Sequence, residues 1–233
     1  MSLSERSVSF LDYLEQWLAQ LPVAPLAQLI PEPSRAAVLC VDPINGFCTV
    51  GPLASPRVQG IVQPIAQLFQ AAHQLGVRCF LLPQDTHDPH AVEFANYPPH
   101  SIRGDVQSQT VPELRRLPFA GDFTVIEKNS ISSSENTALD GWLDAHPQIT
   151  TYIVTGDCSD LCTYQLAMHL RLRANARQLA DVRVIVPADC VQTYDTPMDL
   201  ATKLAIPPHP GDLLHAIFLY NMATNGVEIY QHL

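Results

Sequence analysis

Basic side chains are scarce in this chain. Thirteen Lys and Arg stand against 23 Asp and Glu, a net charge of −10 over 233 residues, and no basic run occurs. No nucleic acid and no anionic membrane is therefore expected as a partner. Long apolar runs are missing too. Nothing approaches the ~20 residues of a membrane span, and the opening MSLSERSVSF lacks the apolar core of a signal peptide. Cysteine is present but sparse: Cys40, Cys48, Cys79, Cys158, Cys162 and Cys190. Scattered through a chain with 47% hydrophobic residues, they do not make a disulfide scaffold, and a reducing cytoplasm is the expected setting. Cys158 and Cys162 are spaced CxxxC with no second matching pair, which argues against a structural zinc knuckle. There is no internal repeat and no low-complexity tract.

What the chain does have is alternation. Val8 to Gln20 has helical apolar spacing (Phe10, Leu11, Leu14, Trp17, Leu18), and the proline-rich LPVAPLAQLIPEPS after it predicts an extended arm. Residues 1–35 thus form an appendage, packed on its own domain or on a neighbouring subunit, and residues 36–233 form one domain. Continuous apolar runs predict buried strands at Ala36 to Val41 and Val77 to Leu82. Shorter runs predict strands at Phe123 to Glu127, Thr151 to Thr155, Val182 to Val186 and Val227 to Tyr230. Helical spacing falls between them at Arg57 to Leu75, Asn136 to Leu143, Cys162 to about Asn175 and Asp212 to Ala223. Strands alternating with helices predict an α/β fold, a three-layer α/β/α arrangement on a mostly parallel central sheet.

In such sheets ligands bind outside the carboxyl ends of the strands. Asp42, Lys128 and Cys162 stand at or just beyond three such ends. Cys162 also opens a helix, where unpaired backbone N–H groups and the dipole favour a thiolate and can hold an oxyanion. Asp160 or Ser159 is the expected cap of that helix. By itself Cys162 reads more readily as a buried structural cysteine, Asp42 as a turn residue and Lys128 as a solvated lysine. Their joint placement at strand ends shifts the balance towards a site. Between Asp85 and Asp105 lies a stretch without period that carries three His, three Asp and one Glu in 21 residues. Loops that long in a compact domain are usually functional.

These residues bear a resemblance. Val41-Asp42-Pro43-Ile44-Asn45-Gly46-Phe47-Cys48 is similar to the Asp-x-x-Asn-x-Phe signature of the isochorismatase-like cysteine hydrolases. Glu127-Lys128 with Asn136-Thr137-Ala138-Leu139 is similar to that family's lysine segment, and Gly156 to Cys162 to its nucleophile turn. Asp85-Thr86-His87 followed by Tyr97-Pro98-Pro99-His100 resembles the metal loop of the nicotinamidase branch. The resemblance spans roughly Ala36 to Asp189, with two departures: Gly46, where an acidic residue is frequent, and Tyr97, where Trp is common.

The resemblance implies a triad of Asp42, Lys128 and Cys162, in which Lys128 lowers the thiol pKa and Asp42 moves the proton. It further implies an oxyanion hole from the backbone N–H groups of Cys158 and Cys162 and a cis peptide at Cys158-Ser159. It implies a divalent metal (Zn first, Fe or Mn as alternatives) on Asp85, His87 and His100. Glu93, directly or through water, is the leading fourth ligand and His90 the other candidate. Phe47 and Tyr97 would flank the substrate ring. The expected activity is hydrolysis of a small-molecule amide, nicotinamide to nicotinate and ammonia. The alternatives are another small amide, such as a carbamoyl or ureido compound or a pyrazinamide-like heterocycle, enol-ether hydrolysis, and, of another class, a metal-binding or redox protein in which Cys158 and Cys162 form a switch. A homo-oligomer is left open.

Overall fold

The computed structural model describes residues 2–233. Its elements in chain order are α1 (Leu3–Ala19), β1 (Ala36–Val41), α2 (Pro56–Leu75), β2 (Cys79–Asp85), β3 (Thr124–Lys128), α3 (Leu139–Ala145) and β4 (Thr151–Asp157). They continue with α4 (Cys162–Ala176), β5 (Arg183–Pro187), β6 (Val191–Gln192), α5 (Met198–Leu204), α6 (Gly211–Thr224) and β7 (Glu228–Tyr230). The sheet runs β3-β2-β1-β4-β5-β7 with β6 beside β4, and the pairings are parallel. Every residue of β1 is buried, as a strand covered on both faces requires.

The two faces have separate cores. Leu139, Leu143, Leu166, Leu170, Leu219 and Met222 of α3, α4 and α6 pack on Leu39, Val41, Val154 and Val184. On the other face Val58, Ile61, Ile65, Phe69 and Ala72 of α2 pack on Val38, Cys40, Phe80 and Ile153. Apolar residues that alternate along a strand feed opposite cores, so one strand holds both layers together.

The arm of residues 2–35 packs on its own domain. Phe10, Tyr13 and Trp17 of α1 surround Tyr220 of α6, with ring centroids 5.6, 5.8 and 5.4 Å away. The chain then passes the β7 edge, where Val23 bridges to His232, and buries Leu26, Leu29 and Ile30 in the α2 core. It thereby pairs with the chain just past β7, where the Gln231 N–H donates to the Pro22 carbonyl at 2.8 Å. The arm is less extended than its prolines predict, since Leu26–Leu29 and Pro33–Arg35 each form a helical turn.

Two strands run further than their hydrophobicity indicates. β2 continues through Pro83 to Asp85: Pro83 lacks a donor, but its carbonyl accepts the Asp42 N–H at 2.8 Å. β4 continues through Gly156 to Asp157. These extensions build the site, because the register then sets Asp85 opposite Lys128 and Gly156 opposite Val41. No described helix is long and apolar enough to cross a membrane.

Candidate active site

The C-terminal ends of β1 to β4 bring three sequence-predicted residues together. Asp42 follows β1 at φ 53°, in the left-handed region. Its Oδ1 accepts the Asp85 N–H at 2.7 Å, which fixes the carboxylate. Lys128, one of only two lysines in the chain, ends β3. Its Nζ lies 2.9 Å from Asp42 Oδ2 and 3.5 Å from Cys162 Sγ, and it pairs with Asp85 Oδ1. Asp42 and Lys128 are 0% and 2% exposed, and Cys162 is 6% exposed. Asp42 Oδ2 is thus the oxygen turned to the ammonium, while Oδ1 is held by the Asp85 N–H.

The charges balance differently from the sequence expectation. Burial opposes the Lys128 charge, but Asp42, Asp85 and Cys162 outweigh it and hold the ammonium well above its usual range. Burial also opposes the Asp85 charge, and Lys128 with the imidazoles of His100 and His87 overcomes it, so Asp85 stays ionised. Burial and the Asp85 charge push Asp42 up to about 6 despite Lys128. At Cys162, burial first of all, with the Asp42 and Asp85 charges, holds the thiol well above its usual range, while Lys128 lowers it as expected. A buried thiol beside two carboxylates ionises only as its proton leaves for a base.

The nucleophile turn depends on Gly156, at φ 109°. A Cβ there would lie 2.0 Å from the Val41 carbonyl oxygen, so only glycine lets β4 close on β1. The non-proline cis peptide is Asp157-Cys158, at the end of β4 and one residue before the expected Cys158-Ser159. Neither expected cap serves α4. Leu161 is the capping residue and offers no side-chain hydrogen bond. The Asp160 carboxylate is taken by His209 Nε2 at 2.8 Å, and the Ser159 hydroxyl meets His215 Nδ1 at 2.9 Å. Diverting both leaves the helix terminus open. Among the described residues neither the Cys158 nor the Cys162 N–H has a backbone acceptor, as an oxyanion site requires.

Beside this cluster stand Asp85, His87 and His100, all buried, with candidate ligand atoms within 4.8 Å of one another. His87 Nε2 and His100 Nε2 lie 3.4 and 3.7 Å from Asp85 Oδ2. Their Nδ1 atoms are committed elsewhere, to Asn129 Oδ1 at 3.1 Å and to the Pro98 carbonyl at 2.8 Å. Each ring thus carries its proton on Nδ1 and turns a lone pair inward from Nε2. His87 Nε2 is buried without a hydrogen-bond partner. One carboxylate, two imidazoles and an orphaned nitrogen fit a divalent transition metal. Glu93 is half-buried on the turn Val92–Ala95, outside the three-residue cluster. Its charge still reaches His87: burial lowers that ring, and Asp85, Asn129 and Glu93 together leave it raised. His90 is exposed.

Aromatic rings wall the cluster. Phe47 and Tyr97 sit 5.6 and 6.3 Å from the His100 ring. Phe94, which the sequence reading passed over, contacts both imidazoles at 5.3 and 5.6 Å. Phe94 had a faint signal, an aromatic between two histidines in an irregular loop. The departure at Gly46 has a steric cause. A Cβ there would meet Ser101 Oγ at 2.7 Å and the Gln107 carbonyl at 3.1 Å, so the following loop fills the place of an acidic side chain. Asp157 was also missed. Burial and then the Asp42 charge hold its carboxyl well above the ordinary range.

A family model described as an isochorismatase domain matches residues 36–205. Nicotinamidase 1 of Arabidopsis thaliana is 28% identical over 232 residues, covering 92% of this chain and 93% of that protein. The structure of a cysteine hydrolase from Pseudomonas syringae pv. phaseolicola 1448A superposes with a TM-score of 0.69 at 23% identity, over 90% of this chain and 92% of that one. A nicotinamidase from Bacillus subtilis superposes with a TM-score of 0.66 at 21% identity, over 84% and 99%. At those identities the two structures speak for the fold. The domain match covers most of the chain, and on that ground the protein belongs to the isochorismatase family of hydrolases.

Proposed function

We propose that this hydrolase is a nicotinamidase that works through a thioester on Cys162 and carries a divalent metal at Asp85, His87 and His100. The observation that carries the reading is the double role of Asp85: Oδ1 pairs with Lys128, and Oδ2 faces both imidazole Nε2 atoms. One carboxylate thus sets a metal-type donor set directly beside a nucleophile.

The chemistry follows from the residues. Cys162 Sγ attacks the amide carbon while its proton passes to Asp42 Oδ2, the carboxylate oxygen not held by the Asp85 N–H. The carbonyl electrons move to oxygen, where the N–H groups of Cys158 and Cys162 stabilise the oxyanion. As the tetrahedral centre collapses, the C–N bond breaks and Asp42 returns the proton to the departing nitrogen, which leaves as ammonia. Water then attacks the thioester with Asp42 as base, releasing the acid and restoring the thiol. Lys128 keeps its proton throughout and steadies the ionised sulfur and both carboxylates. A bound metal would supply a Lewis-acid position for a pyridine nitrogen. Phe47 and Tyr97, which stand beside the His100 ring, would flank the substrate ring, and Glu93 would complete the ligand set directly or through water.

The test is ammonia release from nicotinamide, benzamide and a ureido compound, before and after chelation, with metal content measured on the same samples. Benzamide matches the shape of nicotinamide but lacks the ring nitrogen, and a site built to ligate a polar atom rejects the analogue without it. Nicotinamide should lead in the metal-loaded protein, and chelation should narrow the gap. A metal-free protein that still favours nicotinamide at full rate would remove the metal from the reading, and preference for the ureido compound would change the substrate.

A further inference from the structure

We propose that Asn129 is a positioning residue for the metal, fixing His87 in the tautomer that can ligate; this rests on the metal reading above. The geometry settles which end of its amide faces the ring. Asn129 Oδ1 is 3.1 Å from His87 Nδ1 and also accepts the Asp88 N–H at 3.1 Å, while Nδ2 lies 3.3 Å from Asp88 Oδ2. The reverse orientation would set an NH2 against a backbone N–H and an oxygen against a carboxylate. Only the observed orientation matches donors to acceptors, so Oδ1 accepts from His87 Nδ1–H. The lone pair is then on Nε2, the nitrogen that faces Asp85.

The two imidazoles differ in how they are held. His100 is fixed by a main-chain carbonyl, which no side-chain substitution removes, whereas His87 relies on a side chain. Asn129 directly follows Lys128, whose carbonyl accepts the Thr86 N–H at 2.9 Å. The strand end that delivers the lysine to the nucleophile therefore also orients a ligand of the metal. Outer partners of this kind commonly change metal affinity 10- to 100-fold. Asn129 is itself solvent-exposed, so in a shortened side chain's place water can accept the Nδ1 proton. Leucine, which occupies the space without offering an acceptor, is the more telling substitution.

The experiment measures Zn²⁺ affinity by competition with a chromophoric chelator for the native protein, Asn129→Leu, Asn129→Ala, Asn129→Asp and His87→Ala. The melting temperature and the iodoacetamide reactivity of Cys162 are read on the metal-free forms. The expected result is a loss of about tenfold or more in Asn129→Leu, a smaller loss in Asn129→Ala, and an affinity above that of Asn129→Leu in Asn129→Asp, which restores the acceptor but sets a carboxylate oxygen against Asp88 Oδ2. Melting and thiol reactivity should not change. Native affinity in both Asn129→Leu and Asn129→Ala, while His87→Ala loses the ion, would overturn the role of Asn129 and leave the metal site standing. Equal, weak binding by the native protein and His87→Ala would overturn the metal site itself. If Asn129→Leu does not fold, Asn129→Val, which also occupies the space without an acceptor, decides: native affinity there refutes the assignment.

Discussion

Replacing Asp42 by asparagine should abolish turnover and yet make the protein harder to unfold at alkaline pH. Asp42 is 0% exposed, and burial with the Asp85 charge raises its carboxyl from an ordinary 3.8 to about 6. A carboxyl that holds its proton more tightly in the folded state adds stability fully present below its unfolded pKa. That stability is lost as pH rises through the folded value. At about 1.4 kcal/mol per tenfold change, the displacement corresponds to about 3 kcal/mol held against the fold at pH 8. Asparagine has the same shape and keeps the oxygen that accepts the Asp85 N–H at 2.7 Å, but carries no charge. Its amide group near Lys128 Nζ, now 2.9 Å from Oδ2, offsets part of the gain. The net expectation is a stabilisation of about 1–3 kcal/mol at pH 8, shrinking towards zero by pH 4. Urea unfolding at pH 4, 6 and 8 measures it, beside kcat, which should fall by about 10²-fold or more. A variant less stable than native by over ~1 kcal/mol at pH 8 would show that attraction to Lys128 outweighs burial. Near-native turnover would refute Asp42 as the base.

The same carboxyl should set the acid limb of the native pH–rate profile: kcat/KM should drop as pH falls through about 6, because only ionised Asp42 can take the thiol proton. A flat profile down to pH 5 would contradict this. Cys162→Ala should eliminate hydrolysis and Cys158→Ala should retain much of it, since only the Cys158 backbone N–H is assigned a part; equal losses would favour a redox pair. Because the Asp42 charge helps to raise the Cys162 pKa, iodoacetamide should label Cys162 faster in Asp42→Asn than in the native protein, as read by peptide mapping, even though turnover is lost; slower labelling would show that the Asp42 charge does not disfavour the thiolate. Gly156→Ala should destabilise by more than ~3 kcal/mol, since its Cβ meets the Val41 carbonyl oxygen at 2.0 Å; a small change in the urea midpoint would mean that β1 and β4 can separate there.

Much of this site is legible in one dimension because strand ends are. Apolar runs locate β1, β3 and β4, and parallel strands share an edge, so Asp42, Lys128 and Cys162 had to approach one another once the fold class was set. The loop histidines gained meaning from their Asp-x-His and Pro-Pro-His pairings. Less visible were residues whose role depends on a partner far along the chain. Asn129 and Phe94 look like ordinary loop residues until His87 is placed beside them. Asp160 looks like a helix cap until His209, 49 positions later, claims its carboxylate.

The linear sequence determined which groups are available: one thiol at a helix start, one lysine at a strand end, and a carboxylate with two imidazoles in a loop. Secondary structure is a local matter of periodicity and turn chemistry, so it could be read without coordinates. Tertiary structure decided the protonation of those groups. Whether Cys162 rests as thiol or thiolate depends on burial and on how one ammonium is shared among Asp42, Asp85 and the sulfur. Electrostatic balance falls off with distance and grows as water is excluded, and neither quantity exists until the chain has folded.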